Sequence, residues 1–433
     1  MIFSLDVRRA RKGDCLLLHY GTKAKPQLAV IDGGPKNVYK AHLKPRLLEI
    51  RRARGLDSQS PLPVDLLMVS HVDDDHIQGI LDLTRELREA VGVPFVHIRR
   101  LWHNSFDEVI GRNPKELIAK VAAQFGPASL VGELPEDADV DAEGEEPEVI
   151  VSTIKVLASI AQGHRLRLDA EALDIPPNPE FDGKLILSAQ GEVALNDGLT
   201  FTIAGPMKGE LQALQKKHDD WLKELKEKGL TPEEALAAYV DKSVPNLSSL
   251  VVIAKAGGKT MLLTGDARGD KIVEGLEHAG ALKEGETLHV NLLKVPHHGS
   301  SNNLERGFFE RLTADHYVFS GDGEHGNPER ESLQMLFEAR GAEPFDVHLT
   351  YPVDEIDAGR KEDWEKEQTK ERARNIKRRA QGKAEKVERE DWSATGQSLA
   401  ALLQKHQLAA PQKLHVVSGT KAHVIDLLDP LGF

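Results

Sequence analysis

Apolar and polar residues follow two patterns along this chain. Short apolar runs bounded by turn-forming residues are typical of β-strands. They occupy residues 15–20, 28–31, 65–69, 250–254, 261–263, 288–295, 316–319, 413–417 and 423–427. Apolar residues three or four positions apart, the spacing of an amphipathic helix, cover residues 41–54 and 78–90. Strands and helices therefore alternate, which predicts a protein of the α/β or α+β class.

Three strongly charged segments interrupt this pattern. Residues 126–148 predict an acidic loop, because they contain nine acidic residues and offer no apolar face. Residues 209–240 predict a two-helix insertion. We expect one large domain over residues 1–350, followed at 351–433 by a charged helical extension that closes with strands packed on the same domain.

Composition narrows the classes of partner and site. The net charge is −13, which argues against general electrostatic attraction to nucleic acid, although most of the excess lies in the acidic loop. No apolar run approaches the roughly 18 residues of a membrane-spanning helix, and the start lacks an export signal, so we expect a cytoplasmic protein with no membrane partner. Cys15 is the only cysteine, so any metal must be held by His, Asp and Glu.

Ligand-type side chains are concentrated after the strand-like run that ends at Ser70. Within six positions the chain offers His71, Asp73, Asp74, Asp75 and His76. If buried without a cation, these carboxylates would repel one another, and a pair of metal ions would resolve that conflict. The alternative is a solvated acidic turn. The metal interpretation is favoured because Asp266, His297 and His298 also directly follow strand-like runs, where ligands collect in open α/β sheets.

In these motifs, over about residues 1–340, the chain resembles the metallo-β-lactamase fold, and within it the hydrolase domain of the DNA-uptake protein ComEC and its soluble relatives. The family's His-x-His-x-Asp-His motif corresponds to residues 71–76, which have the ComEC-like form His-x-Asp-x-Asp-His. The segments Leu-Thr-Gly-Asp and Lys-Val-x-His-His-Gly-Ser follow in the same order as in the family. Asp32 and Asp14 match two earlier family aspartates. The resemblance implies a four-layered αββα sandwich with helical insertions and a helical C-terminal elaboration.

The resemblance also implies roles for single residues. His71 and Asp73 would bind a first metal ion, Asp75, His76 and His297 a second, and Asp266 would bridge the two. Asp75 would in addition orient the attacking water. His298 would contact substrate or orient His297, unless it is only a packing neighbour. Asp32 would either hydrogen-bond to the loop that carries the metal ligands or simply form a turn, and the same two roles are open for Asp14.

The chain departs from the family pattern at two places. The family's third-motif histidine is absent, because that position reads Ala204-Gly205-Pro206. The first metal site is therefore expected to be weak, unless His103 supplies the missing ligand rather than serving a structural or substrate-side role. In the late loop, Asn327 replaces the family's histidine and His325 lies two residues earlier, so both are candidates for contacting substrate.

The nature of the metals and of the substrate follows from the same comparison. Asp73 in place of an imidazole makes the ligands richer in oxygen, so two divalent ions are expected, zinc or manganese, with iron also compatible. The ComEC-like motif implies a phosphodiesterase or nuclease, whose substrate is a phosphodiester such as nucleic acid. Residues 370–379 hold six basic residues that would grip phosphates or else form a solvated helix. A hydrolase of a non-phosphate ester, lactone or β-lactam is the alternative, and a binding module that has lost catalysis is the third hypothesis.

Overall fold

The computed structural model describes residues 1–104, 162–212, 248–406, 413–416 and 422–433. The acidic loop expected at 126–148 lies outside the described residues, as does the helical insertion expected at 209–240 beyond residue 212.

The described strands form two large sheets and one small one. The six-stranded sheet contains, in spatial order, β16 (His423–Asp426), β1 (Ile2–Val7), β2 (Leu16–Gly21), β3 (Pro26–Ile31), β5 (Leu66–Val69) and β7 (Leu101–His103). The eight-stranded sheet contains β15 (Lys413–Val416), β14 (Asp346–Leu349), β13 (Leu312–Phe319), β12 (Leu288–Lys294), β11 (Lys259–Leu263), β10 (Val251–Ala256), β9 (Thr200–Gly205) and β8 (Glu192–Ala194). The small sheet pairs β4 (Leu62–Val64) with β6 (Val96–Ile98).

Each large sheet combines an antiparallel part with a parallel part. Strands β3, β5 and β7 are parallel neighbours in the first sheet, and β11 to β15 are parallel neighbours in the second. The carboxyl ends of parallel strands meet at one edge of a sheet, so the loops that follow β3 and β5, and those that follow β11 and β12, start at shared edges. The loops after β5, β11 and β12 carry the candidate metal ligands, and the loop after β3 carries Asp32.

Helices cover the outer faces of the sheets. They are α1 (Lys44–Ala53), α2 (Asp74–Glu89), α3 (Gly269–His278), α4 (Arg306–Arg311), α5 (Arg330–Arg340), α6 (Val353–Ala380), α7 (Ala394–Gln397) and α8 (Leu399–His406). Residues 162–172 are also helical. Within the described part of the chain, no helix is long and apolar enough to cross a membrane.

Three buried clusters of apolar side chains define the layers. Phe3, Leu18 and Met68 of the six-stranded sheet share a core with Phe201 and Leu263 of the eight-stranded sheet, so the two sheets pack face to face. The opposite face of the first sheet packs on α1 and α2, and the opposite face of the second packs on α3, α4, α5 and α8. The predicted αββα sandwich is therefore confirmed.

Several elements differ from the sequence prediction. Helix α2 begins at Asp74, so Asp75 and His76 belong to its first turn rather than to a loop before it. The run of acidic residues that resembled a turn lies at the positive end of the helix dipole, where carboxylates are favourable. Strands β1, β4, β6, β8 and β14 were not predicted; the last four have only three or four residues each, too few for a clear pattern.

Helix α2 lies unusually close to the turn after β3. A Cβ atom added at Gly79 would lie 2.0 Å from the carbonyl oxygen of Gly33, which is too short for any real contact. Because backbone blocks that space, we expect Gly79→Ala to lower the free energy of unfolding by about 1–3 kcal/mol in urea denaturation. Gly307→Ala is the control, since a Cβ there meets nothing within 4 Å; equal stability of the two variants would contradict this packing.

Candidate metal centre

Three strand ends contribute side chains to one cluster. His71 follows β5, Asp73 precedes the first turn of α2, and Asp75 and His76 lie within that turn. Asp266 follows β11, and His297 and His298 follow β12 in a short turn. Residues from both sheets therefore meet in one place.

The two carboxylate oxygens of Asp266 divide the histidines into two pairs. Oδ1 lies 3.3 Å from Nε2 of His76 and 3.3 Å from Nε2 of His298. Oδ2 lies 3.8 Å from Nε2 of His71 and 3.8 Å from Nε2 of His297. Each oxygen of this carboxylate therefore lies near two imidazole nitrogens.

The neighbouring aspartates lie beside these pairs: Asp75 converges with both His71 and His76, and Asp14 converges with His76, His298 and Asp266. Asp75 places Oδ2 3.7 Å from Nε2 of His298 and Oδ1 4.0 Å from Nε2 of His76. Asp73 places Oδ2 3.7 Å from Nε2 of His71. We name two sets of side chains after the Asp266 oxygen that their histidines face. The Oδ1 group is Asp75, His76 and His298, and the Oδ2 group is His71, Asp73 and His297.

His297 lies on the opposite side of Asp266 from the one that the family resemblance implied. The family resemblance placed His297 beside Asp75 and His76, whereas in the structure His298 lies there and His297 lies on the side of His71. Both histidines have left-handed backbone conformations, with φ of 49° for His297 and 53° for His298. Such conformations are strained for residues other than glycine, and they collect at functional sites.

Several buried nitrogen and oxygen atoms in this cluster have no hydrogen-bond partner among the described residues. They are Oδ1 of Asp14, Nε2 of His71, Nε2 of His76, Oδ1 of Asp266 and Nε2 of His298. Leaving buried polar atoms unsatisfied is costly, and most proteins avoid it. Imidazole nitrogens and carboxylate oxygens that converge in this way fit divalent cations.

Asp32 fixes the orientation of His76 through the ring nitrogen that faces away from Asp266. It accepts hydrogen bonds from the Ser70 backbone N–H at 2.7 Å and from the Ser70 hydroxyl at 2.6 Å. Nδ1 of His76 lies 2.9 Å from the Asp32 carboxylate, so Nδ1–H donates to it and Nε2 is directed toward Asp266. Ser70 was not singled out from the sequence, because serine carries no signal of such a role.

A buried ion pair supports His298. Nδ1 of His298 lies 2.9 Å from the Ser320 hydroxyl and 3.6 Å from Oδ1 of Asp14. The other oxygen of Asp14 lies 2.7 Å from Nζ of Lys294, and both side chains are only 1 % exposed. Sequence reasoning missed Lys294, although a lysine within the apolar run that forms β12 was a usable signal.

Charges in the cluster perturb its pKa values. Burial alone would raise the pKa of Asp266, but His298 and His76 lower it well below its usual range. Burial opposes the charged form of His298, yet Asp266 and Asp14 raise its pKa to about 9. Asp266 and Asp32 also raise the pKa of His76, although burial acts in the opposite direction. In contrast, burial and the neighbouring His76 lower the pKa of His71 to about 4.

These shifts predict how pH acts on the metal-free protein. Because the pKa of His298 is about 9 in the folded state and about 6.5 in an unfolded chain, its protonation stabilises the fold fully below pH 6.5, and this contribution is lost as pH rises to about 9. We expect the chelator-treated protein to lose on the order of 3 kcal/mol between these limits, measured by urea denaturation. Added metal should bind more tightly as pH rises, because it displaces those protons. Constant stability from pH 6 to 9 would contradict this account.

Other expected site residues lie outside the two groups. His103 ends β7, next to the end of β5, and its backbone N–H donates to Asn178, but its ring does not join the converging donors. His325 is half exposed in the loop after β13, near Glu324. Asn327 is buried in the same loop. The structure brings none of these three side chains into the cluster around Asp266.

The basic tract at 370–379 lies on α6, and much of its charge is paired within the chain. Lys370 contacts Glu367 at 2.7 Å, and Arg372 contacts Asp391 at 3.1 Å. Arg379 contacts Glu385 at 2.8 Å. These pairs favour a solvated helix over a surface that grips phosphates.

Comparisons with known proteins add little to this picture. No family model matches the chain, and no curated protein matches it. One solved structure found by fold comparison is a Parabacteroides distasonis protein provisionally described as a metal-dependent hydrolase. It is 10% identical, the match covers 80% of this chain and 98% of that one, and the TM-score is 0.30. A similarity this distant carries no argument about function, so the site must be judged on its own geometry.

Proposed function

We propose that this protein is a metal-dependent hydrolase of the metallo-β-lactamase type that binds two divalent ions and hydrolyses phosphodiesters. The observation that carries the proposal is the position of Asp266, whose two oxygens face two separate groups of donors. The unpartnered donor atoms in both groups support it, because a cation on each side would satisfy them.

The proposed ligands of one ion are the Oδ1 group together with Oδ1 of Asp266. His298 replaces His297 in this set, since it is His298 whose Nε2 lies 3.3 Å from Oδ1 of Asp266. The Asp32–His76 and Ser320–His298 contacts orient both imidazoles toward the same point. We expect this site to bind more tightly, because its histidines are buried and fixed from behind.

The proposed ligands of the other ion are the Oδ2 group together with Oδ2 of Asp266. The family's third-motif histidine is absent at the end of β9, and His297 takes its place in this assignment. Its Nε2 lies 3.8 Å from Oδ2 of Asp266, and its side chain is 29 % exposed. This site is therefore more open to solvent and is the side from which substrate enters.

The reaction needs an activated water and neutralisation of charge on the leaving oxygen, and two adjacent cations supply both when bound. The chain contributes positioning and proton handling. Asp75, 23 % exposed, has a carboxylate at the edge of the cluster that can orient a water and accept its proton. Asp14 and Ser320 fix His298, so the geometry around Asp75 is set before substrate binds.

Phosphodiesters are the proposed substrates because the motif at residues 71–76 takes its ComEC-like, oxygen-rich form. The net charge of −13 and the paired bases of α6 favour a small or short phosphodiester over long nucleic acid. Hydrolysis of a non-phosphate ester or lactone is the alternative outcome of the same assay.

The test compares two adjacent aspartates. Metal-stripped protein is resupplied with Mn²⁺ or Zn²⁺ and assayed on a chromogenic phosphodiester, a chromogenic ester, and single- and double-stranded DNA. We expect Asp75→Ala to lower the phosphodiesterase rate by about 10²–10⁴-fold. Asp74→Asn should keep the wild-type rate, because Asp74 is exposed and accepts a hydrogen bond from Gln162. Metal-dependent turnover of the ester alone, or of no substrate, would reject the phosphodiesterase.

A further inference from the structure

A second collection of histidines lies where the closing strands meet the rest of the fold. It comprises His316 on β13, Asp346 and His348 on β14, His415 on β15 and His423 on β16. None of these residues belongs to the centre around Asp266. They line a cavity of about 580 Å³ between the eight-stranded sheet and β16 of the six-stranded sheet. We refer to these five residues as the histidine cluster.

The spacing of three atoms in the histidine cluster matches that of ligands sharing one ion. Nδ1 of His316 lies 3.1 Å from Nε2 of His348 and 3.8 Å from Oδ2 of Asp346. In a tetrahedral site with bonds of about 2.1 Å, neighbouring donor atoms lie roughly 3.4 Å apart. Nε2 of His415 lies 2.8 Å from the same Asp346 oxygen, so a fourth donor is within reach.

We propose that His316, Asp346 and His348 bind a divalent transition-metal ion, with His415 completing the site. This ion is additional to the two proposed around Asp266, and the inference does not depend on the hydrolase activity. Imidazole-rich sites with one carboxylate suit Zn²⁺, Co²⁺ or Ni²⁺, whereas Mg²⁺ and Ca²⁺ prefer oxygen ligands.

His423 holds the central ligand in place. Its Nε2 lies 2.8 Å from Nδ1 of His348, so Nδ1–H of His348 donates to it and Nε2 of His348 keeps its lone pair for a metal. The rings of His348 and His415 stack at 4.5 Å with an interplanar angle of 8°, which fixes both planes. Burial and the neighbouring imidazoles lower the pKa of His348 to about 2 and that of His423 to about 4, so both are neutral near pH 7.

The expected consequence of binding is structural. The ligands come from three adjacent parallel strands, and His423 links them to β16, which pairs with β1 at the other sheet's edge. One ion would therefore join the last strands of the chain to both sheets. His348 is buried, whereas His316 and His415 are partly exposed at the cavity.

The test isolates the histidine cluster by removing the other centre. The Asp266→Ala protein is titrated with Co²⁺, whose visible absorption reports tetrahedral nitrogen and oxygen ligands. We expect one ion per chain to bind, and we expect His348→Gln in the same background to abolish the signal. His289→Gln is the matched control, because His289 lies on β12 but contacts Thr313 and Asp315 instead of the cluster.

Zn²⁺ provides a second readout that does not need the Asp266 variant. At saturating Zn²⁺, wild-type protein should retain one more ion per chain than His316→Gln or His348→Gln, measured by elemental analysis after dialysis. The melting temperature of Asp266→Ala should rise by several degrees with Zn²⁺. Cobalt binding that persists in His348→Gln, or identical zinc content in wild-type and both histidine variants, would overturn the proposal.

Discussion

Asp266→Ala is expected to remove both ions of the candidate centre at once and to lower hydrolysis by at least about 10³-fold. The reason is that a single side chain faces both donor groups, with one oxygen 3.3 Å from His76 and the other 3.8 Å from His71. Loss of any other single ligand should weaken mainly one site. Metal content after dialysis, measured together with the rate, checks this expectation.

The control for this experiment is Asp270→Ala. Asp270 lies in the same region of the chain, at the start of α3, but it is exposed and pairs with Arg268. It should keep wild-type metal content and rate. If Asp266→Ala kept one ion of this centre at full occupancy, Asp266 would not be the shared ligand.

Lys294→Met is expected to have the largest effect on stability, about 3–5 kcal/mol. Lys294 and Asp14 are each only 1 % exposed and lie 2.7 Å apart. Removing the ammonium group leaves the Asp14 carboxylate buried, with His298 as its nearest remaining cation at 3.6 Å. The free energy of unfolding of metal-free protein in urea measures the loss.

Two further variants show whether the ion pair causes that loss. Asp14→Asn combined with Lys294→Met removes both charges, so it should recover part of the stability lost by Lys294→Met alone. Lys255→Met removes an exposed lysine that pairs with Glu192, and it should cost less than about 1 kcal/mol. Equal losses for Lys294→Met and Lys255→Met would show that the buried pair contributes no more than a surface pair.

Much of the architecture follows from local patterns. The strands β2, β3 and β5 are apolar runs bounded by turn residues, and burial of these runs on both faces explains why they are so continuous. The layers follow as well, because a sheet buried on both faces needs a partner sheet and a layer of helices. Strand β14 escaped prediction because its signal is only four residues long.

The site was harder to predict because it depends on the directions in which side chains point, which the order of residues in the chain does not give. The sequence places His297 and His298 side by side and cannot show which ring faces which oxygen of Asp266. That choice is made by two left-handed residues in succession, a conformation that pattern analysis does not expect for histidine. Lys294 and Ser320 act through contacts between residues far apart in the chain, as do the members of the histidine cluster.

The most direct measurement of the central claim is an anomalous diffraction map from crystals of the protein soaked in Mn²⁺ or Zn²⁺. At this centre the account predicts two peaks about 3.5–4 Å apart, one beside each carboxylate oxygen of Asp266. The peak at Oδ1 should contact His76 and His298, and the peak at Oδ2 should contact His71 and His297. A map from well-ordered, metal-soaked crystals with no peak at Asp266, or with one ion bound by His297 on the side of Asp75, would contradict it.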